Sequence, residues 1–279
     1  CNLDASFPNY NPNPEDLKML KDLGKHVLAQ KADIGFAFDG DGDRVGVVDN
    51  NGHEIFADKI GLLIARNLAT EVSNSKFVID VKSTSLFSTD EILKKNNSEI
   101  IFWKTGHSYI KRKTSDINAT AGFERSGHFF FNNPIGRGYD DGILSALEIL
   151  KILDKNENQT ISDLYNELTI TFSSPTMSPK CPEESKYKLV EKIEEIFQYK
   201  KKNNETVAGQ KILSILTVNG VRIHLEDGSW GLVRASSNSP NLVVVCESTI
   251  SEERMKEIFN DLNNELMKFN EIGEYDQKI

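Results

Sequence analysis

The chain has 279 residues, with 33 Lys and Arg against 42 Asp and Glu, giving a formal net charge of −9. At ~100–200 residues per domain this length predicts two or three domains. The acidic balance argues against a general nucleic-acid binder, which needs clustered Lys and Arg. The longest apolar runs, such as Ile60–Ala65 and Leu242–Cys246, fall far short of the ~20 residues of a membrane helix. Three cysteines, Cys1, Cys181 and Cys246, form no CxxC pair. Neither a zinc knuckle nor a disulfide framework is expected, and a reducing cytoplasm is the default compartment.

Asn13-Pro14-Glu15-Asp16 reads as a helix start with Asn13 as N-cap and acids at the positive end of the dipole. Leu17, Leu20, Leu23 and Val27 then share one helical face. Asp33–Phe38 reads as a buried strand, Val45–Asp49 as another, and Asn51-Gly52 as the tight turn of a hairpin. From Asp58 strands and helices alternate: helix Asp58–Ala69, strand Phe77–Val81, helix Leu86–Lys95, strand Ile100–Lys104, helix Tyr109–Asp116, strand Ala119–Phe123, helix Asp140–Leu153. That order predicts parallel sheet built from βαβ units. Phe172–Glu184, rich in Pro, Ser and Thr, reads as a linker between domains. A helix over Glu184–Tyr199, strands at Lys211–Leu216, Val221–Leu225, Gly231–Arg234 and Leu242–Glu247, and a helix over Glu252–Phe269 predict a small α+β domain.

The six residues Asp39-Gly40-Asp41-Gly42-Asp43-Arg44 lie between two predicted strands. Three carboxylates at i, i+2 and i+4 repel one another unless a cation neutralises them, and the glycines permit the tight wrap that would gather them. An all-oxygen donor set suits a hard divalent ion. An EF-hand is excluded, because Arg44 and Asn50 stand where its Gly and Glu belong. Mg2+ fits best, since it leaves coordination places for water or phosphate, and Arg44 beside it could grip phosphate through two parallel hydrogen bonds. A dehalogenase-like phosphatase also places Asp-x-Asp after a strand, but it gives the third Asp and the Arg no role. A plain surface turn is the remaining alternative.

Three more loops carry polar groups at element ends. Lys104-Thr105-Gly106-His107-Ser108 opens a helix, where backbone and hydroxyl donors can face a ligand and Lys104 can hold charge or move a proton. In Gly122-Phe123-Glu124-Arg125-Ser126-Gly127-His128, an extended backbone would point Glu124 and Ser126 the same way, suited to sugar hydroxyls. Taken alone, His128 there is more often structural than catalytic. Arg234-Ala235-Ser236-Ser237-Asn238-Ser239-Pro240, between two strands, describes a phosphate clamp or else a polar hairpin loop.

Together and in this order the four loops resemble those of the α-D-phosphohexomutases, in particular the bacterial phosphomannomutase/phosphoglucomutase branch. DGDGDR resembles the metal loop, KTGHS the loop with an active-site lysine and histidine, GFERSGH the sugar loop, and RASSNSP the phosphate loop. FPNYNPNPEDL and YDDGILSALEIL resemble further segments of the family. The resemblance implies that Asp39, Asp41 and Asp43 hold Mg2+, and that Arg44, Lys104 and His107 are catalytic. It further implies that Glu124, Ser126, His128, Arg234, Ser236, Ser237, Asn238 and Ser239 bind a hexose phosphate. Ser237-Asn238 depart from the Asn-Thr order usual in the phosphate loop, and Arg125 adds a positive charge to the sugar loop that could reach a substrate phosphate or only solvent.

The implied architecture is α/β with a C-terminal α+β domain. Residues 1–56 would be the end of the family's second domain, 57–172 a third domain with mixed sheet, and 173–279 the fourth. The implied reaction interconverts hexose 1-phosphate and 6-phosphate of mannose or glucose through a phosphoserine and a sugar bisphosphate. No T-A-S-H-N-P type segment, the family's phosphoserine site, occurs in the sequence, and the chain starts at Cys1 without a signal-peptide pattern. The expectation is a carboxyl-terminal piece of a larger enzyme, inactive without the N-terminal domains of the same protein. Its partners would be a phosphosugar, with neither nucleic acid nor membrane. A phosphoglucosamine mutase, or a non-catalytic fragment that binds metal and phosphosugar, is the alternative.

Overall fold

The computed structural model describes residues 4, 6–9 and 11–279. Cys1 and Tyr10, named above, lie outside the described residues. The chain divides into two compact units, one running through Leu168 and one from Thr169 to Ile279.

The first unit opens with helix α1 (Leu17–Gln30). Its N-cap is Asp16, whose side chain accepts from the Lys18 N–H, and not Asn13 as the Asn-Pro pattern suggested. Asn13 sits one turn earlier, where its side chain accepts from the Glu15 N–H and from Arg44. Strands β1 (Ile34–Phe38), β2 (Val45–Asp49) and β3 (Glu54–Ile55) form an antiparallel sheet in that order. The register pairs Ile34 with Asp49 and Phe38 with Val45, so the acidic loop closes the β1–β2 hairpin. The Asn51-Gly52 turn joins β2 to β3 as expected.

Helix α2 (Ala57–Glu71), strand β4 (Lys76–Asp80), short helices α3 (Leu86–Thr89) and α4 (Glu91–Lys95), strand β5 (Glu99–Trp103), helix α5 (His107–Asp116), strands β6 (Ala121–Phe123) and β7 (Phe129–Phe131), and helices α6 (Gly142–Lys155) and α7 (Ile161–Asn166) follow. The expected single helix Leu86–Lys95 is split at Asp90, whose carboxylate turns back to cap the N–H groups of Ile92 and Leu93. The sheet order is β5-β4-β6-β7. β4 runs parallel to β5 and β6, and β7 returns antiparallel to β6, so the sheet is mixed. β7 was not anticipated, because three consecutive phenylalanines give no alternation to read. Phe123 lies among Phe77, Phe87, Phe129 and Phe131, with ring centroids 5.3–6.2 Å from its own, and all are fully buried. This aromatic cluster anchors the loop that begins at Glu124.

The second unit holds β8 (Phe172–Ser173), α8 (Lys186–Lys202), β9 (Thr206–Val207), β10 (Gln210–Leu216), β11 (Val221–Leu225), β12 (Trp230–Ala235), β13 (Leu242–Ser248) and α9 (Glu252–Leu266). Its six-stranded antiparallel sheet runs β8-β13-β12-β11-β10-β9. Leu189, Ile193 and Phe197 of α8 and Ile258, Phe259 and Leu262 of α9 share one core with alternate residues of the strands. Phe172–Glu184 is not a free linker. It supplies β8, pairs Met177 with Val244 and Lys180 with Asn241, and buries Met177 and Cys181. Its prolines suit a strap at the sheet margin, where missing N–H donors cost little.

Candidate functional site

In the first unit the acidic loop meets the loop between β6 and β7. Arg44 pairs with His128 as an isolated antiparallel bridge, and the Val45 N–H donates to Gly127 O at 3.3 Å. Gly127 has φ +96°, and a Cβ there would lie 2.8 Å from Val45 O, so the approach requires glycine on both counts. On the other side the Gly142 N–H at the start of α6 donates to Gly42 O at 3.1 Å. The loop is therefore held from two directions by backbone.

Asp39, Asp41 and Asp43 place one carboxylate oxygen each within 4.8 Å of one another. Arg44 braces the group: its Nε donates to Asp39 at 2.6 Å, its N–H to the same carboxylate at 3.1 Å, and its Nη1 to Asn13 at 2.8 Å. Burial works against ionisation of Asp39, but the hydrogen bonds from Arg44 prevail and hold its carboxyl below the usual range. Asp43 is pushed up to about 7 by burial and by the charges of Asp39, Asp41 and Asp140. Three carboxylate oxygens gathered this closely are a donor set that a hard divalent ion fits.

The Glu124–His128 segment is a turn and not the extended stretch expected from sequence. Gly127 N–H donates to Glu124 O at 3.0 Å, and Glu124 N–H to His128 O at 3.0 Å. Glu124 and Ser126 consequently make different contacts. The Glu124 carboxylate is buried and accepts the Gly106 N–H at 2.5 Å, which ties the Lys104–Ser108 loop to this turn. Ser126 Oγ lies 3.0 Å from His128 Nδ1. Burial, and Asp80 nearby, push the Glu124 carboxyl up to about 8. Burial, with Arg44 adding to it, pushes His128 down to about 4, so its imidazole is neutral near pH 7. Arg125 turns inward, 3.8 Å from Asp58 and donating to Lys82 O at 3.2 Å, over the ring of Phe56. It stands as a buried structural cation.

His107 opens α5 and stacks on His128 with centroids 5.7 Å apart. Lys104 is exposed, 5.9 Å above the Tyr109 ring. Two acids at this site escaped the sequence reading. Asp140 lies 3.6 Å from both His107 and Lys111 and 4.0 Å from His128. Asp80, at the carboxyl end of β4, accepts from Ser83, from Thr105 at 3.2 Å and from the Arg125 N–H at 3.4 Å. The position of Asp80 at a parallel strand's carboxyl end was the available signal, and the Tyr139-Asp140-Asp141 segment was the signal for Asp140.

In the second unit Arg234 is buried on β12, where its Nη1 donates to Ala235 O at 2.9 Å. The loop beyond it is closed by Ser236 N–H to Asn241 O at 2.9 Å and by a 2.9 Å contact between the Ser236 and Ser239 hydroxyls. Ser237 and Asn238 are exposed at its tip. Lys186, fully buried, donates to Ser239 O at 3.1 Å and to Glu183 at 2.7 Å. In the sequence this segment reads only as a helix, and no local pattern marks Lys186 among its lysines.

The first unit thus clusters carboxylates and imidazoles at loop ends, and the second carries an arginine–hydroxyl loop. Three family models match along the chain. Residues 1–52 match "Phosphoglucomutase/phosphomannomutase, alpha/beta/alpha domain II", residues 56–172 match domain III, and residues 180–265 match the C-terminal domain. The chain belongs to the phosphoglucomutase/phosphomannomutase family, the α-D-phosphohexomutases. It is 36% identical over 263 residues to a phosphomannomutase/phosphoglucomutase of Pseudomonas aeruginosa, covering 94% of this chain and 53% of that one. It is 36% identical to a phosphoglucomutase of Neisseria meningitidis, over 89% of this chain and 51% of that one. A crystal structure of a family protein from Burkholderia thailandensis superposes with TM-score 0.80 at 31% identity, over 96% of this chain and 53% of the other. The chain thus spans about half the length of the curated relatives it matches.

Proposed function

We propose that the chain is the metal-binding and substrate-binding part of a phosphomannomutase/phosphoglucomutase that interconverts hexose 1-phosphate and hexose 6-phosphate. The observation that carries this reading is the junction of the acidic loop with the Glu124–His128 turn through Arg44 and His128. It brings a cation site beside groups suited to sugar hydroxyls. Residues 1–56, 57–172 and 173–279 would correspond to the end of the second, the third and the fourth domain of the family. Asp39, Asp41 and Asp43 would hold Mg2+, which neutralises phosphoryl oxygens when bound.

The chain's own residues supply positioning and charge, the main requirements of phosphoryl transfer. Arg44 steadies transferred charge while it orients Asp39. Glu124, largely protonated near neutrality, and Ser126 offer donors and acceptors to vicinal hydroxyls. Lys104 and His107 handle protons or developing charge. Arg234, Ser236, Ser237, Asn238 and Ser239 take the phosphate that does not react. The phosphoserine that donates and recovers the phosphoryl group, with a sugar bisphosphate between, would come from preceding domains. The buried free thiols Cys181 and Cys246 suit a reducing compartment such as the cytoplasm.

The test uses the 279-residue chain alone and fused behind the unmatched half of the Pseudomonas relative. Both are assayed with the 1-phosphates of glucose, mannose and glucosamine. Turnover by the fusion, with none by the chain alone, is expected. Asp41→Asn should lower the fusion's rate by at least two powers of ten, roughly the loss of one major electrostatic group. Robust turnover by the isolated chain would refute the need for a supplied serine. A folded fusion inert on all three sugars would refute the mutase reading.

A further inference from the structure

Asp43 points two ways in this site. One carboxylate oxygen belongs to the Asp39–Asp41–Asp43 set, and Asp43 also groups with His128 and Asp140, the three ligand atoms lying within 4.8 Å of one another. His128 Nε2 is 3.6 Å from Asp43 Oδ1 and 4.0 Å from Asp140 Oδ2. Those separations are close to the ~3.4 Å edge of a tetrahedron with Zn–N and Zn–O bonds of about 2.0–2.2 Å.

Two observations indicate that a cation belongs between these atoms. First, Ser126 Oγ and Glu124 Oε2 lie 3.0 and 3.4 Å from His128 Nδ1. A ring N–H on that side, donated to Ser126 Oγ, would leave the Nε2 lone pair as the ligand atom beside the two carboxylates. Second, the Asp140 side chain is only 8% exposed, and its Oδ2 accepts no hydrogen bond among the described residues. A buried carboxylate oxygen without a donor is costly. Three potential ligand atoms within 4.8 Å of one another, one of them buried and without a hydrogen bond, are an arrangement that a metal ion relieves. His107 Nδ1, 3.6 Å from the same Asp140 oxygen, stands at the rim as a fourth donor.

We propose that Asp43, His128 and Asp140 form a second metal site, adjoining the acidic loop and sharing Asp43 with it, selective for a borderline ion such as Zn2+ over Mg2+. The selectivity follows from the donors. The acidic loop offers oxygen alone and suits Mg2+, whereas an imidazole with carboxylates suits zinc. Asp140 precedes the Asp141 N-cap of α6, so the site is fixed on a helix start and not on a free loop. The assignment rests on this geometry and does not depend on the mutase reading.

The experiment is Zn2+ binding to the 279-residue chain in excess Mg2+, read by equilibrium dialysis and by zinc X-ray absorption. One bound Zn2+ with imidazole outer-shell scattering is expected. His128→Gln and Asp140→Asn should each weaken Zn2+ at least tenfold while Mg2+ affinity stays within about threefold, since each removes a zinc ligand and no Mg2+ ligand. Asp41→Asn should do the reverse. Circular dichroism of each variant shows whether it is folded. If both zinc-site variants unfold, the wild-type absorption spectrum still decides. Stoichiometric displacement of Zn2+ by Mg2+, a zinc spectrum without imidazole, or unchanged Zn2+ affinity in folded His128→Gln would overturn the proposal.

Discussion

At the scale of single residues, environment overrides chemical type. Glu124 and Asp39 are both carboxylic acids near Arg44 or Lys82, yet one is pushed up to about 8 and the other held below its ordinary value. Burial dominates at Glu124, while direct hydrogen bonds from Arg44 prevail at Asp39. The folded chain keeps the Glu124 proton between its ordinary value of 4.5 and about 8, whereas the unfolded chain releases it. Stability from this group is therefore complete below pH 4.5 and is lost as pH rises through 8. Urea titrations from pH 5 to 8.5 should show a declining unfolding free energy that Glu124→Gln flattens. An equal slope in the variant would contradict the assignment. His128 has the opposite sign: its contribution is present above 6.5 and fades as pH falls toward 4. Phe123 is a packing prediction. Phe123→Ala should cost about 3–5 kcal/mol in chemical denaturation, because four aromatic neighbours cannot collapse into the space.

At the scale of elements, two strand–loop–strand hairpins carry the site, and α6 fixes one of them. A Cβ on Gly142 would lie 2.7 Å from Gly42 O and 2.8 Å from Arg44 O, both backbone atoms. Gly142→Ala should displace the acidic loop, weaken Mg2+ by roughly tenfold and cost ~1–3 kcal/mol of stability, in the range of overpacking changes. Calorimetric titration with Mg2+ checks the first figure and thermal unfolding the second. Normal Mg2+ affinity would mean that the loop is not held from this side. Much at this scale was legible. The alternation of apolar strands with helices and the Asn51-Gly52 turn carry local signals of period and turn chemistry. β7 and the capping role of Asp16 were not legible, since uniform burial erases periodicity and several polar residues compete for one cap. The strap over residues 172–184 was misread for a similar reason: Pro and Ser mark a sheet margin as readily as a linker.

At the scale of the whole molecule, each unit has its own core, with the aromatic cluster in one and the α8–α9–sheet core in the other. A fragment from Thr169 to Ile279, bounded by the observed division, should fold alone and unfold in one cooperative urea transition, as expected of a small domain with a continuous core. A broad transition without native circular dichroism would show that it needs the rest of the chain. The net charge of −9 does not exclude a small anionic ligand, because within each unit cations are placed singly: Arg44 beside the acidic loop of the first, and Arg234 and Lys186 around the serine loop of the second. Local field, not net charge, governs capture of a small anion.

The sequence by itself determined the family and the order of the four loops, because spacing such as Asp39-x-Asp41-x-Asp43 is a covalent property. It also determined most strands and helices, through periodicities that each segment carries alone. Only the tertiary structure decided which groups meet. Asp80 and Asp140 are ordinary acids in the sequence, and Lys186 is one of many lysines on an amphipathic helix. Their roles arise from contacts across long sequence separations: Asp80 with Thr105 and Arg125, Asp140 with His107 and His128, Lys186 with Ser239. Burial and the approach of distant charges set protonation states, and both are consequences of folding that no local pattern encodes.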